Sequence, residues 1–154
     1  MLKEVLEWIV LGLLIVMNKM GIRARVSKRA SFALIDNPGQ GSLRFMLVEE
    51  MFGFLNFSGG RPDKGETDQD AVRREVREES GLEVEVGKLL EEGEELIFHG
   101  AVKLSYRIYA AKVIGGDFNP RLQGANFYAA NEIRQFGTAG RLLGSYVERT
   151  IASR

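Results

Sequence analysis

The sequence predicts a domain of the mixed α/β (α+β) class, and three patterns support this prediction. Apolar and polar residues alternate from Leu82 to Val86 and again from Val102 to Ala110, as expected for strands with one wet face. The segment from Ala71 to Ser80 contains neither Gly nor Pro and is followed by Gly81, which is typical of a helix of about three turns. A closing helix is predicted from apolar residues at helical spacing: Leu142, Leu143, Tyr146, Val147 and Ile151.

The composition indicates one domain and excludes several kinds of site. The chain has 154 residues, no Cys and one histidine, so a disulfide framework, a thiol nucleophile and a multi-histidine metal centre are excluded. That histidine, His99, is expected in a loop or at a strand end. The 21 basic residues balance the 21 acidic ones, which argues against a nucleic-acid partner. We expect a cytoplasmic protein.

Residues 1–20 form an apolar N-terminal element that we distinguish from the domain predicted over residues 21–154. From Val5 to Met17 only Glu7 and Gly12 interrupt the apolar run, which is shorter than the ~20 residues of a membrane span. We expect a helix that is buried against the domain or against a second subunit, so a homodimer is plausible. Contact with a membrane surface through the neighbouring basic residues is the less favoured alternative.

Two further segments are assigned from turn signals. Ser31–Asp36 and Leu43–Glu49 are apolar runs joined by a Pro-Gly turn at residues 37–41, which predicts a hairpin. Four glutamates surround Gly93, and we expect them to lie in a solvated acidic loop. Completion of a metal site by one of them is the alternative. Gly115 and Gly116 are expected to end the strand that is predicted to begin at Val102.

The predicted helix carries an unusual cluster of acidic residues. At about 100° per residue, Glu75, Glu78 and Glu79 share one face, beside the apolar stripe of Val72 and Val76. Like charges at this spacing destabilise an isolated helix by roughly 0.2 to 0.5 kcal/mol per pair. Either a divalent cation offsets that repulsion, as Mg²⁺ does with carboxylates and phosphate oxygens, or the face is simply solvated.

The loop before the helix favours the first interpretation. Gly59 and Gly60 follow an apolar run, and residues 63–65 form a turn signal that returns the chain to the helix. The side chains of Arg61 and Lys64 are placed to bind a phosphate near this turn, and we predict them as substrate-binding residues.

The spacing of these residues resembles the Nudix box at every specified position. Gly60 is followed after five residues by Glu66, and after seven more by the run from Arg74 to Leu82, REVREESGL. The resemblance implies an α/β/α sandwich around a mixed β-sheet. It also implies hydrolysis, with Mg²⁺ or Mn²⁺, of the diphosphate linkage in a nucleoside diphosphate joined to another group.

The same resemblance assigns roles to residues of the box. It predicts Glu75, Glu78, Glu79 and the Gly59 carbonyl as metal ligands, and Glu75, Glu78 and Arg74 as the catalytic residues. Glu75 would alternatively act as the base that activates water. Arg74, together with Glu66, would orient the loop and the helix.

Outside the box the chain departs from the common family pattern. A Trp and a Pro often precede the glycines, where this chain has Leu55–Ser58, and a glutamate expected near residues 124–128 is missing. The substrate is therefore not fixed beyond a small nucleotide-type diphosphate. A non-catalytic nucleotide-binding domain is the alternative function, while isoprenoid diphosphate isomerisation is disfavoured because those enzymes use a catalytic Cys.

Overall fold

The secondary structure was determined in a computed structural model, which describes residues 2–35, 44–49, 55–129 and 132–133. Within these residues the elements are α1 Leu2–Lys19, β1 Val26–Ile35, β2 Arg44–Glu49, β3 Leu55–Phe57, β4 Gly59–Gly60, α2 Asp68–Ser80, β5 Leu82–Ile97, β6 Val102–Gly116 and β7 Asn126–Ala129. The predicted closing helix lies outside the described residues.

The strands form two sheets, one of them mixed. The four-stranded sheet has the order β4-β1-β6-β5, and the three-stranded sheet has the order β3-β2-β7. β1 and β6 run parallel, from Val26 opposite Val102 to Ile35 opposite Ala111, whereas the other pairs are antiparallel. The predicted mixed α/β class with a mixed sheet is confirmed.

The predicted hairpin between the first two strands is wrong. Both edges of β1 are occupied, one by β4 and the other by β6, so β2 pairs with β3 and β7 in the second sheet. A short connection usually joins strands that pair, but here the parallel ladder with β6 takes that place over ten residue pairs. The turn predicted at residues 37–41 lies outside the described residues.

The predicted acidic loop around Gly93 is also wrong, because these residues belong to β5. Cross-strand contacts extend the β5–β6 ladder: Glu94 lies 2.9 Å from the Lys103 ammonium, and Glu92 lies 3.1 Å from the Arg107 guanidinium. Opposite charges facing each other across a ladder favour pairing. Gly93 leaves room for the ring of Tyr106, whose hydroxyl would be 2.8 Å from an added Cβ.

The core lies on both sides of the four-stranded sheet. Phe32 and Ile108 contribute to one buried cluster, while their neighbours Ala33 and Tyr109 contribute to another that includes α2. Because successive strand residues point to opposite faces, β1 and β6 are covered on both. Phe57 of β3 is also buried in this core.

The predicted end of β6 and the predicted place of His99 are confirmed. The prediction that one face of β6 is exposed to solvent holds only in part. The strand ends at Gly116, and His99 lies in the turn between β5 and β6. Val102 and Ile108 of the predicted apolar face are buried, but residues 103–107 are all half-buried, and Tyr109 and Ala111 on the opposite face are buried beside α2.

The N-terminal element is a helix, as predicted, but it is not buried against the domain. Leu11 is the buried large apolar residue of α1 and packs on Ala101 and Val102, beside the turn between β5 and β6. Most other apolar residues of the helix are exposed, because only one of its faces reaches the domain. In the described part of the chain, no helix is long and apolar enough to cross a membrane.

Candidate functional site

Both ends of α2 are fixed by local contacts. The Thr67 hydroxyl caps the first turn by accepting a hydrogen bond from the backbone N–H of Asp70. At the other end Gly81 has a φ of 77°, which glycine adopts without strain, and its N–H donates to the Arg77 carbonyl. These caps set where each glutamate of the helix lies.

The apolar stripe of α2 determines which way its glutamates face. Val72 and Val76 are fully buried in the cluster under the helix, whereas Arg73 and Arg77 are exposed. The predicted apolar stripe is therefore confirmed as the face that packs on the core. The side of the helix that carries Glu75 and Glu79 then lies against β4 and the residue before it.

Glu79 joins α2 to the backbone before and within β4. One of its carboxylate oxygens, Oε2, accepts a hydrogen bond of 2.6 Å from the Ser58 hydroxyl and one of 3.1 Å from the Gly59 N–H. Hydrogen bonds to a charged carboxylate are among the stronger ones in proteins. This acid is therefore held at the Gly59–Gly60 backbone.

Glu75 lies directly over Gly60. A Cβ on Gly60 would be 2.4 Å from Glu75 Oε1, much shorter than any real contact, whereas a Cβ on Gly59 would meet the Ser31 carbonyl at 2.2 Å. A Cβ at Gly60 would therefore displace the end of the Glu75 side chain, whereas at Gly59 it would clash with the backbone of β1.

Arg74 connects the loop to the helix. Its Nε and Nη2 each donate a 3.0 Å hydrogen bond to Glu66, and its Nη1 donates a 2.8 Å bond to Glu75. Nη2 also donates to the Arg61 carbonyl, and Nη1 lies 3.5 Å from Glu78. The structure thus brings Arg74 together with Glu66, the predicted orienting pair, and with two of the predicted glutamates.

These contacts stabilise the charged forms of Arg74 and Glu66. The hydrogen bond with Glu66 is the main reason that the pKa of Arg74 lies above its ordinary value. The hydrogen bond from Arg74 and one from the Asp63 N–H lower the pKa of Glu66. Both groups are therefore ionised across the range in which proteins work.

The glutamates of α2 do not enclose a common point. Among the described residues, no three acidic or histidine side chains converge closely enough to hold a metal ion by themselves. Glu79 faces Ser58 and Gly59, Glu75 faces Arg74, and Glu78 is 61% exposed. Arg61 and Lys64 are exposed at the edge of the same loop.

The structure shows a second charged cluster that sequence reasoning missed. Asp68, the first residue of α2, is only 8% exposed, and it accepts hydrogen bonds from Arg29, Ser31 and Arg107. Burial by itself would raise the pKa of this carboxyl, but the hydrogen bonds from its three partners together lower it. In the sequence, Asp68 has the features of a helix-capping residue and nothing more.

Arg29 and Arg107 of this cluster also line an open pocket of about 330 Å³, which is formed by residues of β1, β5 and β6. The lining residues are Arg29, Glu92, Gly93, Glu94, Ser105, Tyr106 and Arg107, none of which belongs to the box. Elsewhere, Glu132 accepts a hydrogen bond from the Ala129 N–H.

Comparisons with known proteins agree with this architecture. A family model described as "NUDIX domain" matches residues 27–141. A Nudix hydrolase from Nitrosomonas europaea superposes with a TM-score of 0.71 and 21% identity, over 83% of this chain and 90% of that one. An ADP-ribose pyrophosphatase from Streptococcus suis gives 0.53 and 22%, over 68% and 75%. An Ap4A hydrolase from C. elegans gives 0.64 and 15%, over 83% and 98%.

At these identities the superpositions establish the shared fold and not the substrate. No curated protein matches the sequence.

Proposed function

The chain belongs to the Nudix family of pyrophosphohydrolases, whose domain model covers well over half of it, and we propose that it hydrolyses the diphosphate linkage of a nucleoside diphosphate joined to another group. In this proposal the reaction depends on Mg²⁺ or Mn²⁺ and releases a monophosphate product. The predicted cytoplasmic location stays a prediction.

One observation carries the proposal: the carboxylates of Glu75 and Glu79 lie against the Gly59–Gly60 backbone, within one helix turn of each other. A Cβ on Gly60 would displace the Glu75 carboxylate, so this close approach depends on glycine at position 60. Carboxylates on an acidic face that is only solvated would point into water and would not pack against a backbone. The close approach therefore distinguishes this site from such a face.

The donor set fits a hydrated divalent cation. Mg²⁺ in nucleotide enzymes is held by one or two carboxylates, with water and substrate phosphate oxygens completing the shell, and does not require an all-protein cage. Glu75, Glu78, Glu79 and the Gly59 carbonyl would hold it. When bound, such an ion neutralises phosphate charge and lowers the pKa of water.

The remaining residues of the box position these groups. Arg74 fixes Glu66 through two hydrogen bonds, which holds the loop of Arg61 and Lys64 beside the helix. In our proposal the two exposed basic side chains of that loop bind the phosphates of the substrate. In the alternative in which Glu75 does not ligate the ion, this side chain, only 18% exposed, would accept a proton from the attacking water.

The substrate class is tested by a phosphate-release screen over nucleoside triphosphates, nucleotide sugars, ADP-ribose and dinucleoside polyphosphates, with Mg²⁺ and with Mn²⁺. The names of two proteins of similar fold, an ADP-ribose pyrophosphatase and an Ap4A hydrolase, justify including both substrates. Cleavage of a diphosphate linkage that stops when the metal is chelated would support the proposal. Tight nucleotide binding without cleavage of any compound would instead identify a binding domain.

A further inference from the structure

The outward face of α1 is continuously apolar. Its residues recur every three or four positions, and each is at least half exposed: Leu2, Leu6, Ile9, Leu13 and Val16, continued by Met20 just past the end of the helix. Val5 and Val10, 50% and 49% exposed, widen this face on either side. Monomeric proteins rarely expose large contiguous apolar patches, and such patches often mark interaction sites.

Contacts on the opposite side fix the helix in this orientation. Leu11 is buried against Ala101 and Val102, and Asn18 donates hydrogen bonds to the carbonyls of Leu14 and Ala24. On this side Glu7 also lies 3.7 Å from Lys28. The side that meets the domain thus packs through apolar residues, Leu11, Leu14 and Ile15, together with a few polar groups, while the side that faces away from it is also apolar. An ordinary surface helix would be polar on that outward side.

The charges around α1 have one predominant sign. Residues 1–29 contain six Lys and Arg residues but only two Glu, whereas the whole chain has no net charge. Lys3 and Lys19 fall at the borders of the apolar face on a helical wheel, and Arg23 and Arg25 follow the helix. The surroundings of the apolar face are therefore basic.

We propose that α1 binds the surface of an anionic lipid bilayer, lying in the interface with its outward apolar face among the acyl chains. Basic residues at the borders of such a face contact anionic headgroups, and apolar and electrostatic contributions add.

A second copy of the chain fits this face less well. Pairing two α1 helices would bring two basic regions together, without acidic residues at the borders of the face to compensate. The apolar face is also wider than the narrow seam of a paired helix, because it includes Val5 and Val10. Charge and width together therefore favour lipid.

The experiment is flotation of the full chain with vesicles of phosphatidylcholine mixed with phosphatidylserine, and with vesicles of phosphatidylcholine alone. Ile9→Asp is compared with Ile114→Asp, a matched control because these isoleucines are 61% and 62% exposed. We expect Ile9→Asp to weaken binding about tenfold or more, and Ile114→Asp to leave it unchanged. Lys19→Gln combined with Arg23→Gln should weaken binding to the anionic vesicles by roughly fivefold per charge.

Urea unfolding midpoints equal to that of the unchanged protein show that the variants fold. Failure of the unchanged protein to bind anionic vesicles, or equal losses in the two isoleucine variants, would overturn the proposal. It would also be overturned by a dimer in sedimentation velocity that Ile9→Asp dissociates while vesicles recover no protein. Hydrolysis of a soluble substrate should be the same in both isoleucine variants, so this test is independent of the proposed function.

Discussion

Replacement of Gly60 by alanine should reduce hydrolysis strongly while changing the stability of the fold only slightly. The added Cβ would lie 2.4 Å from Glu75 Oε1 and 2.6 Å from its Cδ, whereas ordinary contact begins at 3.4 Å. The carboxylate must therefore move by about 1 Å. These atoms are the far end of a flexible side chain, so the displacement requires no change in the backbone.

The two expected effects of this change differ greatly in size. Overpacking against a movable side chain should lower the free energy of unfolding by about 1 kcal/mol, which corresponds to a Tm decrease of about 2–4 °C. A displacement of about 1 Å at a reacting group can reduce the rate about 100-fold. We therefore expect Gly60→Ala to fold nearly normally and to lose most of its hydrolytic activity.

Two other glycines provide the comparison. At Gly87 an added Cβ would meet only Ala110, at 3.5 Å or more, so Gly87→Ala should retain both activity and stability. At Gly59 it would meet backbone atoms, the Ser31 carbonyl at 2.2 Å and the Phe32 Cα at 2.7 Å, so Gly59→Ala should lose at least about 3 kcal/mol of stability.

The assay combines urea unfolding with initial rates of phosphate release on the substrate that the screen identifies. If Gly60→Ala kept full activity, the position of the Glu75 carboxylate would not matter for hydrolysis, and our reasoning about the close approach would be refuted.

Three further predictions concern charged groups. Arg74→Lys should lose one of the two hydrogen bonds to Glu66, which lowers the rate about tenfold and the free energy of unfolding by about 1–2 kcal/mol, both measurable in the same assays. Because the folded-state pKa of Asp68 is depressed below its ordinary value of 3.8, its stabilising effect is present above that pH and disappears as the pH falls below it. Urea midpoints should then fall more steeply on acidification from pH 7 to about pH 3 in the unchanged protein than in Asp68→Asn; parallel curves would contradict this. Glu94→Gln removes an exposed cross-strand pair with Lys103 and should change the free energy of unfolding by less than about 1 kcal/mol, without affecting hydrolysis.

The sequence allowed the box helix to be predicted almost completely. Thr67, Gly81 and the stripe of Val72 and Val76 are local signals, and each acts within a few residues of its own position. Such contacts depend little on the remainder of the fold. The contact of Arg74 with Glu78, one helical turn away, is local in the same sense.

Contacts between distant segments could not be predicted in this way. The pairing of β1 with β6 joins residues more than seventy positions apart, and it removed the expected hairpin. The partners of Asp68 come from β1 and β6, so its burial depends on that pairing. The glutamates around Gly93 have the composition of a loop, but partners on β6 keep them in a strand.

The N-terminal helix was predicted correctly as an element, and of its two expected partners the domain covers only part of it. An apolar run indicates that a segment avoids water, but it does not specify which surface covers it. In this fold the domain covers only the Leu11 side. The outward face of α1 became apparent only from the structure.

The most direct test of the central claim is a titration of the protein with Mg²⁺ and Mn²⁺ by calorimetry, combined with rates of hydrolysis, for Glu75→Gln and Glu79→Gln. Glu94→Gln, which also removes one negative charge, is the matched control. We predict that the unchanged protein and the control take up the ion. Both box variants should fold, bind the ion weakly and lose at least about 100-fold in rate. Full metal uptake and full activity in both box variants would contradict the account.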